Sequence, residues 1–482
     1  MTSPTRTEQI LTCAAERWPD HPAIIDSGQT TTYRQLHGQM QRLQRQLQRA
    51  GLDRGQGLGI MARNGSAFVA AMLAGMGCGA AVLPIAQQLQ RTELDTLVAD
   101  TGLHAILDDG SGSTPIPGHA TSIDFATQQL RLTWTETPRE QPVSPHMEAA
   151  FIRHTSGTTG ASKGVLLSHQ RVLERVEAAQ QALQLTSGDS VLWVLPMAFH
   201  FLVTILVYLR CGASIVVCRH LLAQSLLEHA NRHRASLLYA APMHYRLLAA
   251  DRSGEMFSTL RRAISTTSAL PLSIAREFQQ RYRLPVLQAY GIIEAGLPLV
   301  DADPANSDPE TVGCPAPGFE IALLDGNNKR VDNQQTGRLA LRGPGMFDAY
   351  LKPWRLSEQI LVDGWFMTGD LARQTASGKF VICGREKAMI NVSGNKVFPE
   401  EVEAVLDSHP AIMESRVFGH EHPLMGEIVC AEVRTEAGNT LDAEAVLRYC
   451  RQRLSPYKIP QQLRQTAGIA HTSSGKIQRH EG

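Results

Sequence analysis

Between residues 32 and 250, short apolar runs and amphipathic helical patterns take turns along the chain, and this alternation restricts the fold more than any other feature. Residues 32–50 carry Leu36, Met40, Leu43 and Leu47 on one helical stripe. A short strand at 57–61, an apolar helix at 67–77 and a second strand at 80–83 follow. The rhythm returns at 214–218, 221–233, 236–239 and 243–250. Such alternation predicts a largely parallel sheet covered by helices. Beyond about residue 312 the pattern changes to short strands at 320–325, 337–342 and 379–383, separated by Gly, Asp and Asn turns as in a small β-barrel. The last part mixes strands (389–392, 415–418, 428–433) with helices (399–408, 441–453), an α+β module. The expected class is therefore α/β: a large N-terminal domain of helix-covered sheets, 1–384, with a barrel-like part at about 312–384. A small C-terminal domain, 389–482, follows a boundary near 384–387.

The 482 residues carry 46 Lys and Arg against 46 Asp and Glu, which leaves no global field to attract nucleic acid or an anionic membrane. The eight cysteines are scattered, without a C-x-x-C pair, and read as reduced thiols of a cytoplasmic protein. His229 and His233 lie on a polar helix face beside Arg232 and Arg234, and read as surface residues rather than metal ligands. The N-terminus has no apolar core of a signal peptide. From 190 to 209 there are 20 residues without Asp, Glu, Lys or Arg, long enough to span a bilayer. Pro196 and His200 sit in its middle, so a buried strand (191–195) and an apolar helix from about Phe199 are expected instead of a membrane span.

The stretch Thr155-Ser156-Gly157-Thr158-Thr159-Gly160-Ala161-Ser162-Lys163-Gly164 follows an apolar strand at 149–152. Its glycines and hydroxyl residues offer backbone N–H groups and short donors, Lys163 adds a positive charge, and no carboxylate occurs between Arg153 and His169. That combination suits an oligophosphate. It is not a Walker A loop, because no Gly-Lys-Ser/Thr follows at the required spacing. Two other readings stay open: a plain flexible turn, and a G-x-S-x-G nucleophile elbow built on Ser162, which needs a helix directly after the serine.

This loop resembles the signature loop of the adenylate-forming superfamily, which includes acyl-CoA synthetases, stand-alone adenylation domains and luciferases. Further motifs similar to that family's follow in order across the chain: Pro22-Ala23-Ile24 to Leu36, Gln288-Ala289-Tyr290-Gly291-Ile292-Ile293-Glu294 and Thr368-Gly369-Asp370. Gly384-Arg385-Glu386-Lys387, Ile390-Asn391-Val392-Ser393-Gly394 and Ser474-Gly475-Lys476-Ile477-Gln478-Arg479 complete the series. The resemblance implies an ATP-dependent acid–thiol ligase: a small-molecule carboxylic acid and ATP give an acyl-adenylate and pyrophosphate, and a thiol then takes the acyl group. It implies nucleotide binding by Thr155, Ser156, Gly157, Thr158, Thr159, Gly160 and Lys163, and by Thr267, Ser268 and Ala269. Ala289, Tyr290, Gly291, Ile293, Asp370, Ile382 and Arg385 belong to the same nucleotide set. Tyr290 would stack on adenine, Asp370 would accept both ribose hydroxyls, and Arg385 would donate to ribose or phosphate. Glu294 would supply the hard oxygen that Mg²⁺ on the triphosphate needs. Catalytic roles fall to Lys476, Glu294 and Thr158, with Lys476 bridging the reacting carboxylate and the α-phosphate. Residues 385–388 would be a hinge, with Lys387 at its pivot, and Gly394 would let pantetheine pass close to the backbone.

By the same resemblance, Phe199, His200, Phe201 and Thr204, with Ile292 and Gly296, would line the acid pocket. No acid occurs between Asp189 and Glu228, which disfavours an α-amino acid. A charge-neutral wall suits an aryl or medium-chain aliphatic acid. The acceptor thiol would belong to coenzyme A or to the phosphopantetheine of an acyl carrier protein, with amide formation a further possibility and a non-catalytic nucleotide-binding relative a separate one. Two departures stand out. Ile293 replaces the family's usual Thr, and Thr266-Thr267-Ser268 replaces the usual Gly-Gly of the acid-pocket loop. Locally, residues 451–479 hold six basic and no acidic side chains, whereas 301–310 hold four acids and no base.

Overall fold

The computed structural model of the chain describes residues 3–126, 128–135, 147–155, 163–332, 334–392, 395–422, 426–436, 438–471 and 477. Two nine-stranded sheets organise the first three quarters of the chain. In one, Val286–Ile292, Arg262–Ser265, Leu237–Ala240, Ser190–Trp193, Ser214–Val217 and Pro22–Asp26 run parallel in that order. In the other, Ala149–Thr155, Ala81–Pro84, Gly57–Met61 and Ala105–Asp108 form the parallel part, with antiparallel strands on both sides. The alternating pattern thus produces helix-covered parallel strands, with antiparallel extensions at the edges.

The core lies between these sheets. Helix Ser66–Gly77 is apolar all round and is buried from Ala67 to Met76; an element with no polar face must be enclosed. The expected stripe of Leu36, Met40, Leu43 and Leu47 is the buried face of helix Tyr33–Arg49, which packs on it. Thr32 starts that helix with a reciprocal capping box to Gln35.

The uncharged run does not span a membrane: no helix among the described residues is long and apolar enough to do so. It splits into strand Ser190–Trp193, a short helix Met197–His200, a π-helical turn Phe201–Ile205 and helix Leu206–Cys211. The single helix expected from Phe199 therefore carries a widened turn. In that turn the Leu206 amide reaches back to the Phe201 carbonyl, and the buried Thr204 hydroxyl donates to the His200 carbonyl at 3.0 Å.

The barrel-like part is antiparallel, in the order Glu320–Leu324, Gly337–Arg342, Phe366–Gln374, Phe380–Arg385, and its described pairs form an open path rather than a closed ring. The 3₁₀ turn Glu386–Ala388 leads into a five-stranded C-terminal sheet covered by helices Pro399–Asp407 and Ala443–Arg451. The expected charge asymmetry is partly neutralised by folding. Asp301 pairs with Lys379 at 3.0 Å and Glu310 with Arg373 at 3.6 Å. Arg451 pairs with Glu444 at 2.9 Å, and Lys458 with Glu401.

Candidate active site

Strand Val286–Ile292 pairs in parallel with Arg262–Ser265 through Gln288, then antiparallel with Gly296–Val300 from Ala289 onward. Tyr290 and Gly291 therefore lie just past the carboxyl end of the parallel ladder, the edge at which open α/β sheets bind ligands. Tyr290 packs against the same small cluster as Ile382. Its hydroxyl donates to Asp370 Oδ2. Asp370, only 4% exposed, also pairs through Oδ1 with Arg385 Nε at 2.8 Å, and the two residues face one another across their strands. Thr368 Oγ1 accepts from the Asp370 amide at 3.0 Å within the same strand. Side chains from three separate strands thus converge on one buried carboxylate. Burial and the Asp370 charge push the Tyr290 phenol well above its usual range, so it stays a neutral donor.

Glu294 sits in the next turn. Its Oε1 accepts from the Tyr350 hydroxyl at 2.8 Å, and its backbone carbonyl accepts from the Phe347 amide at 2.8 Å. Arg175 completes the arrangement from helix His169–Leu183. Its guanidinium, 4% exposed, donates to the carbonyls of Ile293 and Glu294, both at 2.8 Å, and to that of Gly345. Burial lowers the Arg175 pKa to about 9, which leaves it charged at neutral pH. Sequence reasoning missed both Arg175 and Tyr350. The signal for Arg175 was an arginine on the helical stripe Val172, Val176, Ala179, a position that a solvated side chain would not occupy.

The acid-pocket loop carries local strain. Thr267 has φ +79°, in the left-handed region that a β-branched residue rarely adopts. A glycine adopts that conformation freely, so the geometry suits the family's usual glycine and the threonine found here bears the strain. Thr266 is buried, whereas Ser268 and Ala269 are exposed. Ile293, the other departure, packs its side chain against the core.

Of the four residues expected to wall the acid pocket, three are buried, His200, Phe201 and Thr204. Phe201 is 1% exposed and meets Phe68 edge-on at 5.9 Å, and Thr204 is committed to the His200 carbonyl. The widened turn rotates them into the core, so they present no surface to a ligand. His200 stands edge-on to Trp193 and Tyr239. Phe199 is partly buried, and the Arg153 guanidinium lies 4.3 Å from its ring centre. The wall expected to be neutral thus has a cation against it. Ile292 packs partly into the core, and the φ +90° of Gly296 keeps space beside Arg175.

Thr155 stands opposite Lys163 in the antiparallel pair, which brings the two flanks of the expected phosphate loop together. Ser156, Gly157, Thr158, Thr159 and Gly160 lie outside the described residues, as do Gly394 and Lys476. A strand, Lys163–Ser168, rather than a helix follows Ser162, which removes the nucleophile-elbow reading. Lys387 is exposed in its 3₁₀ turn. A cavity of about 550 Å³ lined by Asp189, His233 and Arg261 opens at the amino ends of the parallel strands, opposite the Tyr290 edge, and is unrelated to this constellation.

Residues 11–351 match the family of AMP-binding enzymes, and residues 401–476 match the C-terminal domain of AMP-binding enzymes. The chain belongs to this adenylate-forming family, which includes AMP-forming acid–thiol ligases. It is 30% identical to a sulfoacetate–CoA ligase of Cupriavidus necator, over 98% of this chain and 96% of that one. It is 26% identical to a feruloyl-CoA synthase of an Amycolatopsis species, over 96% and 95% of the two chains. Its fold superimposes on the o-succinylbenzoate–CoA synthetase of Bacillus subtilis in complex with its acyl-adenylate, with a TM-score of 0.84, 23% identity and coverage of 98% and 97%.

Proposed function

We propose that this chain joins a carboxylic acid to ATP, releasing pyrophosphate, and then transfers the acyl group from the adenylate to the thiol of coenzyme A. The convergence of Tyr290, Asp370 and Arg385 at the carboxyl edge of the parallel strands carries this reading. A buried carboxylate with a phenol on one oxygen and a guanidinium on the other is a preorganised acceptor for a ribose diol. Covalent activation divides one uphill ligation into two accessible steps. Lys476 would neutralise the charge that builds between the carboxylate and the α-phosphate. The relatives named as CoA ligases favour coenzyme A over a carrier-protein phosphopantetheine.

Glu294 fits a Mg²⁺ site: it is one hard carboxylate, oriented by Tyr350, and its backbone is pinned by Arg175. Bound there, the ion would offset phosphate charge. The acid would lie against Phe199, with an aryl or medium-chain aliphatic body. An α-amino acid does not fit, because its ammonium would face Arg153 without a carboxylate partner. Residues 385–388, which include the 3₁₀ turn Glu386–Ala388, are the proposed hinge between 1–384 and 389–482, with Gly394 at the thiol passage. None of the eight cysteines forms a disulfide, which suits a reducing, cytoplasmic setting.

ATP–pyrophosphate exchange over a panel of acids tests the proposal. Exchange that Lys476→Ala silences supports it, and product assays with coenzyme A and with a carrier protein decide the acceptor. No exchange with any acid in folded protein would leave a nucleotide-binding role only.

A further inference from the structure

Arg153 lies near the end of strand Ala149–Thr155, and its side chain crosses to the segment that follows strand Ser190–Trp193 in the other large sheet. Its Nη1 donates to the Ala198 carbonyl at 2.7 Å, and the guanidinium covers the Phe199 ring at 4.3 Å. A guanidinium carries five N–H donors, and only this one has a partner among the described residues. No carboxylate there lies within ion-pair distance of Arg153. The nearby acid Asp100 is engaged elsewhere: it faces His154, the next residue along, at 3.6 Å and Lys352 at 2.7 Å. Successive residues of a strand point to opposite faces, so Arg153 is directed away from that pair. Burial depresses its pKa to about 9, and no counter-charge opposes the shift.

Arg153 is partly buried, so it gives up hydration without gaining an anion, and one ring face recovers only about 0.5–2 kcal/mol. The donors of Arg153 that remain open stand beside Phe199, the one of the four expected wall residues that stays partly exposed, His200, Phe201 and Thr204 being buried. We infer that Arg153 is a specificity-determining residue, whose guanidinium pairs with a second anionic group, a carboxylate or sulfonate, at the far end of the acid. This rests on the acid-activation reading above. It makes the favoured substrate a dianion whose reacting carboxylate is separated from the distal anion by a short or aryl body. A guanidinium matches both oxyanions because its fork donates two parallel hydrogen bonds.

Pyrophosphate exchange with matched acids tests the inference on the unaltered protein: succinate against its monoamide, and sulfoacetate against methylsulfonylacetate. The dianion of each pair is expected to have kcat/KM higher by at least about tenfold. Arg153→Met is expected to abolish that preference by raising KM for the dianion while KM for ATP stays unchanged, and Arg153→Lys is expected to restore part of it. Should Arg153→Met prove unstable, the wild-type preference and Arg153→Lys still decide the matter. Equal use of both members of each pair, or an equal loss on both in Arg153→Met, overturns the inference and makes Arg153 a brace between the sheets. Exchange with monoanionic acids alone overturns it while leaving acid activation intact. Exchange with no acid at all overturns the activation reading, and the inference falls with it.

Discussion

Arg175 Nη2 donates to the backbone carbonyl of Glu294 at 2.8 Å, across 119 residues of sequence, and Nη1 does the same for Ile293. The proposed magnesium ligand is thus held through its main chain by a buried cation, while Tyr350 orients its carboxylate. Arg175→Met would take the donor from the carbonyls of Ile293 and Gly345, whereas that of Glu294 keeps the Phe347 amide. At about 1–3 kcal/mol for each unsatisfied buried group, a loss of at least about 2 kcal/mol is expected. Thermal melting measures that loss, and KM for Mg-ATP is expected to rise in the folded fraction. Arg175→Lys is expected to rescue little, because an ammonium cannot span the three carbonyls that the planar fork reaches.

Asp370 has one oxygen on Tyr290 and the other on Arg385. Asp370→Asn keeps the shape and removes the charge. Each charge-assisted hydrogen bond to ribose is worth about 1.5–3 kcal/mol, so KM for ATP is expected to rise at least about tenfold. KM for the acid is expected to stay nearly constant. Exchange kinetics with each substrate varied in turn separate the two, and equal effects on both would remove Asp370 from the nucleotide site.

Thr267 holds φ +79° beside the proposed pocket. Thr267→Gly is expected to stabilise the fold by about 1 kcal/mol, the relief of left-handed strain exceeding the added freedom of the unfolded chain. Urea unfolding measures it. An unchanged or lowered midpoint would show that the surroundings of Thr267 repay its strain.

Much of the scaffold was legible because it depends on local periodicity. The stripe from Leu36 to Leu47 named the buried face of its helix, and the strands at 57–61 and 337–342 occur with the expected bounds. The π-helical turn was not legible. It shows in the Leu206 amide bonding back to the Phe201 carbonyl, and the extra residue in the turn rotates Phe201 away from the side that simple periodicity assigns it. Tyr290, Asp370 and Arg385 were named by motif, but their mutual hydrogen bonds exist only because separate strands converge. Arg153 and Arg175 act on residues 45 and 119 positions away, and nothing in their local sequence names those partners.

His169 is 2% exposed, and its Nδ1 accepts from the Thr7 amide at 3.1 Å, a bond that requires an unprotonated nitrogen. Burial, reinforced by the charges of Arg6 and Arg54, lowers its pKa to about 3. Its unfolded value is about 6.5. Between these values the unfolded chain binds a proton that the folded one refuses, so stability is lost as pH falls below about 6.5. The slope for one such group is about 1.4 kcal/mol per pH unit. His169→Asn carries no titrating group. Its stability deficit relative to wild type at pH 7 is expected to shrink by that slope towards pH 4.5, read from urea midpoints at several pH values. A constant deficit would place the His169 pKa near its unfolded value.

Arg246, on helix Pro242–Ala249 of the large part, donates to the backbone carbonyl of Met413 in the C-terminal module at 2.9 Å. If the module reorients about Lys387 between the two half-reactions, this bond exists in only one arrangement. It is solvent-exposed, so its worth is at most about 1 kcal/mol, a shift of about fivefold in the balance between arrangements. Arg246→Ala is therefore expected to move the two half-reactions in opposite directions. One would become faster and the other slower, by no more than that factor and without a change in melting temperature. Pyrophosphate exchange reports the first half-reaction, and transfer from a preformed acyl-adenylate to coenzyme A reports the second. Parallel loss in both would instead mean that the bond serves the fold, and that the two modules keep one arrangement throughout turnover.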